Sequence, residues 1–151
     1  MSQSLSRILV HFIFSTKDRF PFLIDNELRK RMHAYLAGVF NELESPAIEV
    51  GGIGDHVHIL SRLSRNYSVS EILKKAKANS SSWAKVQGGR LQKFSWQSGY
   101  GAFSIDPLQI DSVQKYIQGQ EEHHRTRTFQ EEYLEILRQY KMDYDEKYLW
   151  T

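Results

Sequence analysis

The 151-residue chain contains no cysteine, which removes disulfide frameworks, Cys-ligated zinc, iron–sulfur clusters and thiol nucleophiles together and fits a reducing compartment such as the cytoplasm. No apolar run approaches the roughly 20 residues needed to cross a bilayer, and the opening Met-Ser-Gln-Ser-Leu-Ser-Arg lacks the apolar core of a secretory leader. Neither export nor a membrane partner is expected. There is no Gly-x-x-x-x-Gly-Lys-Ser/Thr phosphate loop, hence no sign of an NTPase. Neither sign of charge dominates: 20 basic residues face 18 acidic ones for a net charge of +2, which permits a nucleic-acid partner without demanding one.

What is present describes a single soluble domain spanning residues 1–151, with 40% hydrophobic and 25% charged residues and a mean hydropathy of −0.53, too apolar for disorder. Residues 6–15 alternate, with Ile8, Val10, Phe12 and Phe14 on one side and Arg7, His11 and Ser15 among those on the other, the period of a half-buried strand. Asp25 can cap a helix whose apolar residues Leu28, Met32, Tyr35, Leu36, Val39, Phe40 and Leu43 recur at helical spacing. Two short apolar runs, 47–53 and 56–63, flank Gly54-Asp55 and read as an antiparallel hairpin.

Ser68 and Glu71 form a capping box that opens a second helix ending at Gly88-Gly89, with Lys74, Lys77, Ser81 and Lys85 on its polar side. The segment 91–105, with Phe94, Trp96, Tyr100, Ala102 and Phe103, reads as a hairpin or a strand with an aromatic face. Asp106-Pro107 opens a third helix that carries Ile110, Val113 and Ile117 inward, and Thr128 with Glu131 caps a fourth. The order strand-helix-strand-strand-helix-strand predicts an α+β protein: a ferredoxin-like or RRM-like antiparallel sheet sandwich with extra C-terminal helices.

Within Gly54-Asp55-His56-Val57-His58-Ile59 the two histidines leave one face of a strand while Val57 and Ile59 enter the other. Adjacent imidazoles can chelate a divalent ion, and they can equally be two histidines hydrogen-bonded to neighbours. On the third helix Tyr116 and Gln120 stand one turn apart, with His123 and His124 following. A nucleophile and a metal ligand can share that side, as can an amphipathic edge and a solvated glutamine.

Taken together these blocks resemble the small HUH-type single-tyrosine transposases of minimal insertion sequences and their domesticated, repeat-associated relatives. The resemblance is carried by His11-Phe12-Ile13-Phe14-Ser15-Thr16-Lys17, the His56–His58 motif, Trp96-Gln97-Ser98-Gly99-Tyr100-Gly101-Ala102-Phe103-Ser104, Tyr116 to His124, and Phe129-Gln130-Glu131-Glu132-Tyr133. It implies that His56, His58 and Gln120 hold Mg²⁺ or Mn²⁺ and that Tyr116 attacks phosphorus, leaving a 5′-phosphotyrosine and a free 3′-hydroxyl. It also implies a single-stranded DNA substrate with hairpins, an obligate homodimer with composite active sites, and a cytoplasmic, nucleoid-associated protein.

Lys17, Arg19, Lys74, Lys77, Lys85 and Arg90 are candidates for phosphate neutralisation and Trp96 for base stacking, against the plainer reading of a solvated face and a core aromatic. His11 reads as a structural histidine, and His123 and His124 as supports of the site or DNA contacts. The competing functions are a domesticated hairpin-DNA-binding protein without mobilising activity, an RNA-binding module, a metal-dependent hydrolase using water, and a relaxase or replication initiator, which is normally larger.

Overall fold

Residues 9–15, flanked by a polar opening segment and the turn at Lys17, form the central strand β1 (Leu9–Ser15) of a computed structural model that describes residues 2–151. It is followed by α1 (Asn26–Glu42), β2 (Ala47–Ile53), β3 (His56–Arg62), α2 (Val69–Val86), β4 (Gly101–Ile105), α3 (Ile110–Gln118), α4 (Gln120–His123), α5 (Phe129–Gln139) and α6 (Glu146–Leu149). The strands pair in the order β2-β3-β1-β4, antiparallel throughout. This is the ferredoxin-like sheet expected from the sequence, with helices added at its C-terminal end.

The helix starts follow local chemistry. Asp25 accepts from the Leu28 amide, and the Ser68–Glu71 and Thr128–Glu131 pairs form complete capping boxes, each satisfying backbone donors that the first turn leaves unpaired. The strand register assigns the faces. Phe12 and Phe14 of β1 and Val57 and Ile59 of β3 share one side with α1 and α2, where Met32, Leu36, Phe40, Ile72 and Leu73 complete the main core.

The opposite face carries Leu9, His11, Ile13 and Ser15 from β1 with His56, His58 and Leu60 from β3. It is covered by α3 and α5 through Ile117, Phe129, Tyr133, Ile136 and Leu137. Every residue of β1 is therefore buried, and the half-buried strand read from its alternation is corrected: the second face meets helices distant in sequence rather than water.

Two further expectations change. Only the end of 91–105 is a strand; Gly89–Lys93 is a 3₁₀ turn and Trp96 makes a single bridge to Thr16. The third helix is not continuous to His124. It follows a 3₁₀ turn at Pro107–Gln109 and breaks at Gly119, leaving Gln120–His123 as a separate turn. Gly51 permits the seating of α3 on β2, because a Cβ there would lie 2.6 Å from the Ile117 carbonyl oxygen. That close approach brings Tyr116 over the histidine face.

Candidate active site

The hairpin turn at Gly54-Asp55 starts β3 so that His56 and His58 point to the same side, opposite Ser15 and Ile13. Both imidazoles are fully buried. Each has its Nδ1 engaged: that of His56 donates to Asp55 Oδ1 at 2.7 Å, and that of His58 lies 2.9 Å from His11 Nε2. The two Nε2 atoms are thereby left facing inward, the orientation that outer hydrogen bonds impose on ligating histidines. His11, read from the sequence as structural, is a direct support of His58.

The inward atoms converge on Glu132, a carboxylate from the first turns of α5 that is 1% exposed. Its Oε1 accepts from His58 Nε2 at 3.1 Å and His124 Nε2 at 3.2 Å, with His56 Nε2 at 3.4 Å. Its Oε2 accepts from Gln120 Nε2 at 3.0 Å and from the Tyr116 hydroxyl. The Gln120 side-chain oxygen in turn accepts from His56 Nε2 at 2.9 Å. Gln120 is held in place by its neighbour: Glu121 pairs with the buried Arg29 of α1 at 2.8 Å, and Arg29 also donates to the Leu23 carbonyl.

Electrostatics follow from this geometry. Burial opposes a charge on His56, but the Asp55 and Glu132 carboxylates outweigh it and raise the imidazole to about 9. Burial lowers His58, and burial with the neighbouring His58 pushes His11 down to about 3. Burial works against the Glu132 carboxylate as well, yet its hydrogen bonds from His124, His56 and His58 hold it well below the usual carboxylate range. Tyr116 is raised by burial and by the adjacent Glu132 charge. The resting site therefore keeps the proton on the tyrosine.

His56, His58, Gln120 and Tyr116 are thus brought together within one chain. Glu132 was not anticipated, although the sequence holds a signal: it occupies the apolar stripe Phe129, Glu132, Tyr133, Ile136 and Leu137, all buried, where an unpaired carboxylate is costly. The residues considered for DNA are dispersed. Lys17, Lys74, Lys85 and Arg90 are exposed. Arg19 lies 5.7 Å over the Trp150 ring, Lys77 donates to the carbonyls of Gln97, Ser98 and Gly99, and the Trp96 indole donates to Ser80 inside the core. Trp96 is accordingly a core aromatic rather than an open stacking platform.

A histidine pair on a central strand of a ferredoxin-like sheet, facing a helix that bears a tyrosine, agrees with the HUH-type single-tyrosine transposases that the sequence resembles. Residues 4–120 match the family described as IS200-like transposases, and the chain belongs to that family. No curated protein sequence matches it. Among solved structures it is similar to a candidate transposase from Deinococcus radiodurans R1, with 18% identity and a TM-score of 0.59 over 80% of this chain and 98% of that one. It is also similar to a REP-associated tyrosine transposase bound to a REP hairpin, with 14% identity and a TM-score of 0.59 over 82% of this chain and 74% of that one. At these identities the two structures bear on the fold. Glu132 lies beyond residues 4–120, which the family model matches.

Proposed function

We propose that this transposase cleaves and rejoins single-stranded DNA at hairpin-flanked element ends, with Tyr116 as the nucleophile. The observation that carries the reading is the meeting of the Tyr116 hydroxyl, Gln120, His56 and His58 on one buried carboxylate. In the reaction the Tyr116 oxygen bonds to phosphorus, the bond from phosphorus to the 3′-oxygen breaks, and the strand is left with a 5′-phosphotyrosine and a 3′-hydroxyl. The phosphodiester energy is retained, so rejoining needs no nucleotide triphosphate. Glu132 orients the phenol by accepting its hydrogen bond, and the proton the phenol loses as the new bond forms is balanced by the one the departing 3′-oxygen takes up.

A divalent ion fits the donor set. The ligand atoms of His56, His58 and Glu132 lie within 4.8 Å of one another, and Gln120 adds an amide oxygen. The oxygen donors suit Mn²⁺ or Mg²⁺, and the two imidazoles favour Mn²⁺ of the pair in intrinsic affinity. When bound, the ion supplies Lewis-acid polarisation of the scissile phosphate. A cavity of about 240 Å³ beside Tyr116, walled by His11, Val113 and Arg127, gives a phosphate a route to the hydroxyl.

DNA contact is assigned to the exposed Lys17, Lys74, Lys85 and Arg90, which fit sequence-independent neutralisation of a strand. Packing of α3 on β2 and β3 of its own chain supports a site in cis, and the homodimer with composite sites that the resemblance implies is the alternative that mixing variants tests. No helix among the described residues is long and apolar enough to cross a membrane, and action on nucleoid DNA in the cytoplasm accords with the substrate proposed.

The test is incubation with a pool of denatured genomic fragments of the source organism and Mn²⁺ or Mg²⁺, resolved on a denaturing gel. A DNA-shifted protein band that disappears in Tyr116→Phe and without metal is expected. Retained hairpins with no adduct favour a domesticated binding protein, and cleavage that survives Tyr116→Phe favours a water nucleophile. Mixing Tyr116→Phe with His58→Ala chains is expected to restore nothing; restored activity assigns the site to two chains.

A further inference from the structure

We propose that the cleft between the turn 17–22 and the turn 89–95 holds an unpaired nucleotide of the DNA strand, with its base on Phe20 and its phosphates on Lys17, Arg90 and Lys93. The cleft has a volume of about 600 Å³, within the range of small-ligand sites. It rests on the single-stranded substrate proposed above and lies outside the catalytic group.

Phe20 is 46% exposed. A lone exposed phenylalanine is ordinary, but this one is backed by aromatic rings that run into the core. Its centroid lies 4.6 Å from that of Phe22, which lies 5.3 Å from the buried Phe94. The Phe20 ring is thus packed on Phe22 while nearly half of the residue stays exposed. Lys17, Arg90 and Lys93 are exposed around it, with Asp18 the acid among the lining residues. Among the described residues the lysine and arginine ion pairs, at Arg29, Lys30, Arg125 and Arg138, lie elsewhere. The groove beside α2 is a poorer candidate, since its Lys77 is spent on three carbonyls.

The cleft is also pre-formed. Asp18 and Arg19 adopt left-handed backbone angles of φ 55 and 57, which the surrounding structure must hold, whereas Gly88 and Gly89 at φ 82 and 57 take angles that glycine accepts without strain. The Lys17 amide donates to the Ser95 carbonyl at 2.8 Å and ties one turn to the other. A site that needs no reordering loses less entropy on binding. The preceding amide, of Thr16, donates to the Asp55 carbonyl at 2.8 Å, and the Asp55 carboxylate holds His56. The cleft therefore sits at the His56 end of the sheet. An aromatic platform ringed by cations matches a base with its phosphates; a duplex buries its base faces and an acidic peptide has none to offer.

The test uses the full chain in metal-free buffer, so that strand cleavage is not the readout. The probe is a thymidine oligonucleotide carrying iodo-deoxyuridine, photocrosslinked and mapped by mass spectrometry, with affinity followed by fluorescence anisotropy. Crosslinks at Phe20 or Phe22 are expected, and Phe20→Ala weakens binding by about 5- to 150-fold, the range of one base stacked on an aromatic ring. Lys17→Ala with Lys93→Ala lowers the salt slope by about 0.7 for each phosphate contact removed. Phe20→Leu keeps the apolar bulk without the π-face and loses affinity likewise, which covers the case of an alanine variant that folds poorly. Crosslinks confined to other residues, unchanged affinity in Phe20→Leu, or equal loss of affinity for the matching duplex or for polyglutamate overturns the assignment. Should Tyr116 form adducts while Phe20→Leu binds as wild type, the cleft falls and the catalytic reading stands; should the crosslinks appear without any adduct, the reverse holds.

Discussion

Glu132→Gln removes the charge at the centre of the site while leaving its shape. In the native chain that carboxylate accepts from His58 and His124, stands 3.4 Å from His56 Nε2, and holds Gln120 and Tyr116 through its other oxygen. Hydrogen bonds to a charged group contribute about 1.5–3 kcal/mol each, but these share one acceptor and do not add. Losing one member of a buried charged pair costs about 3–5 kcal/mol. An amide still accepts at one atom and Asp55 still faces His56, so the lower end, about 3 kcal/mol, is expected. At about 2–4 °C per kcal/mol for a chain of this size, the metal-free variant should melt about 6–12 °C below wild type. The same change should weaken Mn²⁺ binding by at least the about 10-fold that loss of an outer-shell partner costs, read from free Mn²⁺ by electron paramagnetic resonance. A variant that melts within about 2 °C of wild type and binds Mn²⁺ equally well would falsify the central role given to this carboxylate.

Gly51→Ala drives a methyl into the Ile117 carbonyl, which a Cβ would approach to 2.6 Å; a loss of about 1–3 kcal/mol in denaturant unfolding with slower adduct formation is expected, and unchanged values would show that α3 is not seated by this contact. His11→Phe deletes the partner of His58 Nδ1 and should weaken Mn²⁺ binding about 10- to 100-fold while Tyr116 remains competent at saturating metal; unchanged affinity would make His11 purely structural. The pH dependence has two limbs. His56 is raised from 6.5 to about 9, so its contribution is complete below pH 6.5 and is lost as pH rises through 9. Burial lowers His11 and, on α1, His33 from 6.5 to about 3 and about 4, so their contribution is present above pH 6.5 and is lost as pH falls toward those values. From these groups the metal-free protein should be most stable near their ordinary pH of 6.5, and added Mn²⁺ should steepen binding with rising pH as it displaces the His56 proton. A flat denaturation midpoint across both limbs would contradict these assignments.

Features that depend on near neighbours were legible in the sequence. The capping boxes at Ser68–Glu71 and Thr128–Glu131 join residues three apart, and the hairpin at Gly54-Asp55 fixes which way β3 faces. The fold class followed from the order of such elements. What failed depended on distant chain. The alternation of β1 described one core face, yet Leu9, His11 and Ile13 are buried by helices a hundred residues later. Phe94 and Trp96 alternate as in a strand, but the left-handed Gly88 and Gly89 and the 3₁₀ turn after them leave one bridge where a ladder was expected. Gly119 ends α3 just before Gln120, and the glutamine is positioned by the Arg29–Glu121 pair as well as by helical spacing from Tyr116.

The same distinction explains the site. His56 and His58 are two residues apart on a strand, and Tyr116 and Gln120 four apart around a turn, so each pair is readable by period alone. Glu132 belongs to neither period. It reaches the histidines only because α5 folds back over the sheet, and its function is written in chemistry that a linear reading discounts: a carboxylate in an apolar stripe. Its presence changes the charge of the ligand set. Two neutral imidazoles and an amide leave the whole positive charge of a divalent ion for the phosphate, whereas an added carboxylate trades part of that polarising power for tighter retention. In the metal-free protein burial raises the Tyr116 phenol and the Glu132 charge adds to it, while the Asp55 and Glu132 carboxylates together overcome burial to keep His56 protonated. Glu132 thus bears on both the hydroxyl proposed as nucleophile and the imidazoles proposed as ligands, beside the burial and the Asp55 carboxylate that act on the same groups.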